Sequence, residues 1–96
     1  MELDFKAEVI EWRGPAPYYF AVVPEPERSI IAEEWAFASY GWGCIPVGVE
    51  LGKSTWSTAL MPRNGGYLVP LRTAIRSAER VQLGDSPLIT LRLHVS

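Results

Sequence analysis

The sequence predicts a small, mainly β domain of about six strands with one or two short helices, organised as a single unit over residues 1–96. Three observations carry that expectation. Apolar and polar residues alternate with period two near both ends of the chain. A two-residue turn with glycine first, Gly52-Lys53, joins two further alternating runs. Two short stretches with helical periodicity each follow a proline.

In chain order, Leu3, Phe5, Ala7 and Val9 alternate with Glu2, Asp4, Lys6 and Glu8, which is the pattern of a half-buried strand. Gly14-Pro15-Ala16-Pro17 breaks it. Tyr18 to Val23 is a continuous aromatic and β-branched run, so a strand buried on both faces is expected. Pro24 and Pro26 stop that run, and Glu25 and Glu27 suit the first turn of a helix through about Trp35. Its inward stripe would be Ile31, Trp35 and Ala38. Ile45, Val47, Val49 and Leu51 then alternate up to the Gly52-Lys53 turn. The turn fixes the register of the hairpin. Leu51 faces Ser54, Val49 faces Trp56, Val47 faces Thr58 and Ile45 faces Leu60, so Trp56 joins the core face. Pro62 to Gly66 is a turn cluster, and Tyr67-Leu68-Val69 a short extended piece. Pro70 would then open a ten-residue helix with Leu71, Ala74, Ile75 and Ala78 on its inner stripe. Ile89, Leu91, Leu93 and Val95 complete the domain as a last strand, with His94 outward.

Composition excludes several classes. At 48% hydrophobic and 21% charged, the chain is neither disordered nor fibrous. The uncharged run from Trp35 to Val49 is interrupted by Gly41, Gly43 and Pro46, and is too short to span a bilayer. The acidic opening Met-Glu-Leu-Asp does not read as a signal peptide, and one cysteine, Cys44, fits a reducing cytoplasm, so a cytoplasmic location is expected. The net charge of −2 conceals an asymmetry. Residues 1–50 carry three basic side chains against nine acidic, and residues 51–96 six against two. Either the basic segment forms an anion-binding face, or the two segments intertwine and their charges compensate.

No catalytic or metal motif stands out. One histidine and one cysteine, His94 and Cys44, have no ligand spacing between them. Gly65-Gly66 lacks the lysine and frame of a phosphate loop. Neither a catalytic set, a metal nor a cofactor is therefore expected, and the chain reads as a non-enzymatic binding or interaction module. Its acidic balance also argues against a wide phosphate footprint, so nucleic acid is not the expected partner. An unknown small molecule or protein is.

The order Trp42-Gly43, Ile45-Pro46-Val47, Leu60 with Pro62, Gly65-Gly66-Tyr67, Val69-Pro70-Leu71, Arg76-Ser77-Ala78 and Gly84-Asp85 resembles the bacterial family called domain of unknown function 1905. The resemblance extends upstream through Phe5 and the Tyr18-to-Pro24 run, nearly the whole chain. It implies a double-split β-barrel, similar in class to AbrB-like DNA-binding barrels; some relatives are fused to a YdeI/OmpD-associated domain. It implies no activity. A nucleic-acid-associated barrel and an enzyme without a recognisable motif stand as the alternatives. Two departures are Pro87, where a hydrophobic residue is usual, and Arg72, where lysine is.

Two surfaces are expected to matter. The outer hairpin face of Cys44, Pro46, Gly48, Glu50, Thr55, Ser57, Ala59 and Met61 is flat and small, suited to a homodimer contact or to burial under the N-terminal segment. The candidate ligand site is Trp42, Arg63, Asn64, Tyr67 and Arg72. Extending the hairpin register places Trp42 opposite Arg63, so a guanidinium would lie over an indole plate beside polar donors. The plainer alternative is that Trp42 packs over the Gly-Gly turn while Arg63 screens it. A bulge at Gly41 or Gly43 would turn Trp42 to the other face.

Overall fold

The computed structural model describes residues 1–12, 18–35, 45–63 and 65–93. Trp42, Cys44, Asn64 and His94 lie outside them. The described chain is mainly β: β1 (Glu2–Lys6), β2 (Val9–Trp12), β3 (Tyr18–Val22), α1 (Glu27–Trp35), β4 (Ile45–Leu51), β5 (Ser54–Arg63), β6 (Gly66–Leu71), α2 (Thr73–Glu79) and β7 (Leu88–Leu93). All pairings are antiparallel, in the order β1-β7-β4-β5-β6-β3-β2.

Among the described residues there are seven strands rather than about six, because the first predicted strand is two. β1 pairs with β7 at one end of the order, and β2 pairs with β3 at the other. Only Ala7 and Glu8 separate them, so the chain itself joins the two ends and the sheet curls into a half-barrel. The joint is tied by backbone bonds on both sides. Ala7 N donates to Pro87 O at 3.1 Å, Val9 N to Asp85 O at 2.8 Å, and Val22 N to Glu8 O at 3.0 Å. β5 makes the opposite corner: residues 54–60 pair with β4, and residues 61–63 with β6.

Alternation puts the core where the sequence places it. Phe5, Val47, Val49, Leu60, Ile89 and Leu91 are among the buried side chains that fill the interior. The hairpin register is the predicted one, from Ile45↔Leu60 to Leu51↔Ser54. Gly52 has φ +60°, while Lys53 is not among the positive-φ residues, as a type II′ turn requires. A Cβ at Gly52 would run into the Glu79 carboxylate of α2. That carboxylate clasps the turn, accepting from Ser54 Oγ at 2.6 Å and from Lys53 N at 3.4 Å. Trp56 is half-buried against the core rather than enclosed by it. The outer face of the hairpin is open, with Pro46, Thr55, Ser57 and Met61 exposed and Ala59 half-buried.

The second helix differs from its prediction. Pro70 and Leu71 belong to β6, paired with Phe20 and Tyr19, and α2 begins only at Thr73. The reason lies in the ladder. Val23 N donates to Tyr67 O at 3.1 Å, so positions 67, 69 and 71 of β6 exchange bonds with β3 and position 70 does not. A proline fits there without losing a bond. With Leu71 committed to the strand, α2 buries no residue; Ala74 and Ala78 are exposed.

α1 begins as predicted, and Ile31 is fully enclosed. Pro26 has no side chain that can cap the helix, and Glu25 does so instead. Its carboxylate accepts from Ser29 N at 2.8 Å and from Ser29 Oγ at 2.7 Å, with Arg28 3.6 Å away. The Ser29 hydroxyl bond above all, then the backbone bond and Arg28, hold the Glu25 carboxyl below its ordinary pKa. A depressed folded-state pKa stabilises above the unfolded value, and the contribution is lost as pH falls through the folded one. Glu25→Gln is therefore expected to lower the melting temperature near neutral pH, and the deficit should shrink as pH falls below the ordinary carboxylate range. A deficit that stays constant over that range in a pH series of thermal melts would contradict the capping role.

Candidate ligand-binding face

Directly opposed residues share a sheet face, and the registers place the outer face of β2, β3 and β6 without ambiguity. Trp12 lies opposite Tyr18, Ile10 opposite Phe20, Phe20 opposite Pro70, and Val22 opposite Leu68. Met61 continues the row from Leu68. This face is apolar and aromatic, yet open in part: Tyr18 is 63% exposed, Trp12 44% and Met61 41%. The Trp12 and Tyr18 rings flank Phe20, each 6.5 Å from it between centroids. Contiguous exposed apolar surface of this kind marks contact sites.

Arg63, at the end of β5, reaches this face across the diagonal of the twisted sheet. Its Cζ stands 4.1 Å from the centroid of the Trp12 ring. Beside it opens a cavity of about 410 Å³. Arg28 of α1 enters the same cavity by lying across Gly66, where a Cβ would come within 3.1 Å of the Arg28 side chain. Tyr67, Glu11 and Val23 complete the wall. The cavity thus offers two planar guanidinium forks and a phenol, with one carboxylate among them, and the Trp12 indole lies under the Arg63 fork.

A second recess, about 370 Å³, lies where β3 and β6 meet the start of α2. Arg72 and Arg76 line it with Tyr18 and Tyr19. The Arg76 Cζ stands 3.5 Å from the Tyr19 centroid, and its Nη2 donates to Thr73 Oγ1 at 3.5 Å. Arg76 Nε is buried and finds no acceptor among the described residues, a state that costs about 1–3 kcal/mol.

The charges divide accordingly. On the opposite side of the half-barrel, Arg92 binds Glu2 and Glu50 at 2.9 Å each, and those bonds raise its pKa. Thr90 Oγ1 donates to Asp4 there at 2.6 Å. An arginine from the basic segment is spent on glutamates from the acidic one, which is the compensation reading of the charge asymmetry. Arg63, Arg72 and Arg76 have no ion pair among the described residues. Compensation is thus seen at Arg92, while these three arginines of the aromatic side keep no carboxylate partner among the described residues.

Of the predicted site residues, the structure brings Arg63 and Tyr67 together at the first cavity. Arg72 stands apart at the second recess. Trp42 and Asn64 lie outside the described residues. Trp12, Arg28 and Tyr19 are not among the residues that the sequence singles out. A signal for Trp12 existed: Ile10 and Trp12 are apolar residues at the even positions that Glu2, Asp4, Lys6 and Glu8 make polar. The continuous Tyr18-to-Val23 run is the matching half, its second apolar face being left open in part rather than buried.

The family model for a domain of unknown function, DUF1905, matches residues 5–91, from the end of β1 into β7. The chain belongs to the DUF1905 family. No curated protein matches it. The DUF1905 match spans β2, β3, β6 and both arginine-lined recesses, so the aromatic face is part of the domain that the family defines. Among the described residues, no three His, Cys, Asp or Glu side chains converge, and no helix is long and apolar enough to cross a membrane.

Proposed function

We propose that this DUF1905 chain is a non-catalytic binding module whose ligand is small, planar and anionic, held on the outer face of β2, β3 and β6. The Arg63 guanidinium over the exposed Trp12 ring, at the mouth of the first cavity, is the observation that supports it. A ring of the ligand would extend the stack on Trp12, and its acidic group would meet Arg63 and Arg28. The bacterial cytoplasm is the compartment this reading assumes. The barrel is of the double-split, AbrB-like class in the same reading: β1–β2 and β5 each serve two neighbours, the feature that supports a split sheet.

Anilinonaphthalene sulfonate, a planar anionic dye, tests the proposal by fluorescence titration. The folded chain is expected to bind it saturably, and Arg63→Gln and Trp12→Leu each to weaken it about 5-fold or more. Duplex DNA should not displace it, because Glu2, Asp4 and Glu50 on the far side disfavour a phosphate footprint that wraps the domain. Equal dye affinity in the wild type and both variants would sink the reading. Displacement by duplex at low salt would favour the nucleic-acid alternative.

A homodimer through the open hairpin face is the second part of the proposal, supported by the exposure of Pro46, Thr55, Ser57 and Met61. Light scattering at two concentrations should show the mass rising above that of one chain. A monomer mass at both would remove it.

A further inference from the structure

The recess between β3 and α2 shares no lining residue with the cavity at Arg63, and its chemistry is different. No carboxylate lines it. The nearest acidic residue of α2, Glu79, has its carboxylate engaged by Ser54 and Lys53 at the hairpin turn. Its cationic groups are therefore left without a counter-charge from the described residues. Arg76 is held in place by the Tyr19 ring and by Thr73 Oγ1, so its fork is pre-oriented. Arg72 stands at the N-cap of α2 in an extended conformation, and its guanidinium has no ion pair among the described residues. Phe20, Pro70 and Leu71 give the recess an apolar floor, and the Tyr18 ring, largely exposed, stands at its rim.

We propose that this recess is a second, independent site for a small aromatic acid, with the ring against Tyr18 and the oxyanion between Arg72 and Arg76. The apolar floor selects a ring over a bare inorganic anion, and the paired forks select an oxyanion over a neutral ring. A carboxylate and a phosphate share this chemistry. About 370 Å³ accommodates one ring with its acidic substituent.

Benzoate and phenyl phosphate, each titrated to about 10 mM into the ¹⁵N-labelled full chain, distinguish the two oxyanions, with benzyl alcohol as the neutral control. The Arg76 Nε–H signal and the Thr73 amide are expected to shift saturably with at least one acid and not with the alcohol. Whichever acid binds more tightly names the source. Arg72→Gln should weaken binding about 5-fold or more while leaving signals of the β4–β5 hairpin in place. Arg76→Lys, which keeps the charge and loses the fork, should do the same. Unmoved Arg76 and Thr73 signals would overturn the site, as would wild-type affinity in both variants. Shifts confined to Ile10, Arg63 and Gly66 would overturn it too while supporting the proposed function, so the two readings fail separately.

Discussion

Ala7→Glu is expected to cost about 4 kcal/mol or more of folding stability, the scale of an unpaired charge forced into a core. Ala7 is 1% exposed and occupies the joint where β1 becomes β2. Its N–H is committed to Pro87 O, and its methyl group faces the interior cluster. Among the described residues, no basic side chain is buried there to receive a carboxylate. A domain of this size has only about 5–15 kcal/mol of stability, so the variant should be largely unfolded at moderate urea. If the first and last strands of the order were instead separate, open edges, Ala7 would be a solvated position and glutamate would cost little. Glu8→Ala, at the neighbouring exposed residue, is the control and should fall within about 0.5 kcal/mol of wild type. Urea melts of both variants decide the matter, and a two-sided tolerance at positions 7 and 8 would contradict the joint.

Leu91→Ala should be nearly as damaging, at about 2–5 kcal/mol. Leu91 is fully enclosed on β7, with Leu3 of β1 on one side and Val49 of β4 on the other. Truncation removes apolar contact from three strands at once and leaves a cavity that a twisted sheet cannot collapse around. With a urea slope of about 1–3 kcal/mol/M, the midpoint should fall by about 1–3 M at an unchanged slope. Met61→Ala, on the outer face, should move it far less. A Leu91→Ala loss below about 1 kcal/mol would mean that β7 is not central to the core.

The legible parts of the sequence are those in which one local signal decides the answer. Gly52 needs positive φ, the turn it makes is two residues long, and every pair from Ile45↔Leu60 onward follows by counting. Glu25 and Glu27 mark the start of α1 in the same way. The bend at Ala7–Glu8 carries no glycine or proline, because both halves keep one inward phase while exchanging partners from β7 to β3. Nothing local announces that exchange. Pro70 is ambiguous for a related reason. A proline opens helices readily, but it also fits a strand position whose N–H faces no partner, and only the β3–β6 register tells the two apart. Arg63 and Tyr67 could be assigned to one site from their shared turn, whereas Trp12 reaches Arg63 only through the sheet's diagonal.

The claim that the outer face of β2, β3 and β6 is the binding surface is tested most directly by backbone amide mapping with anilinonaphthalene sulfonate. Ile10, Trp12, Val22, Arg63, Gly66 and Tyr67 should shift together and saturate at one common midpoint, with Arg92, Thr90 and Glu50 unmoved. Shifts centred on β1, β7 and β4, or spread evenly over the domain, would contradict it.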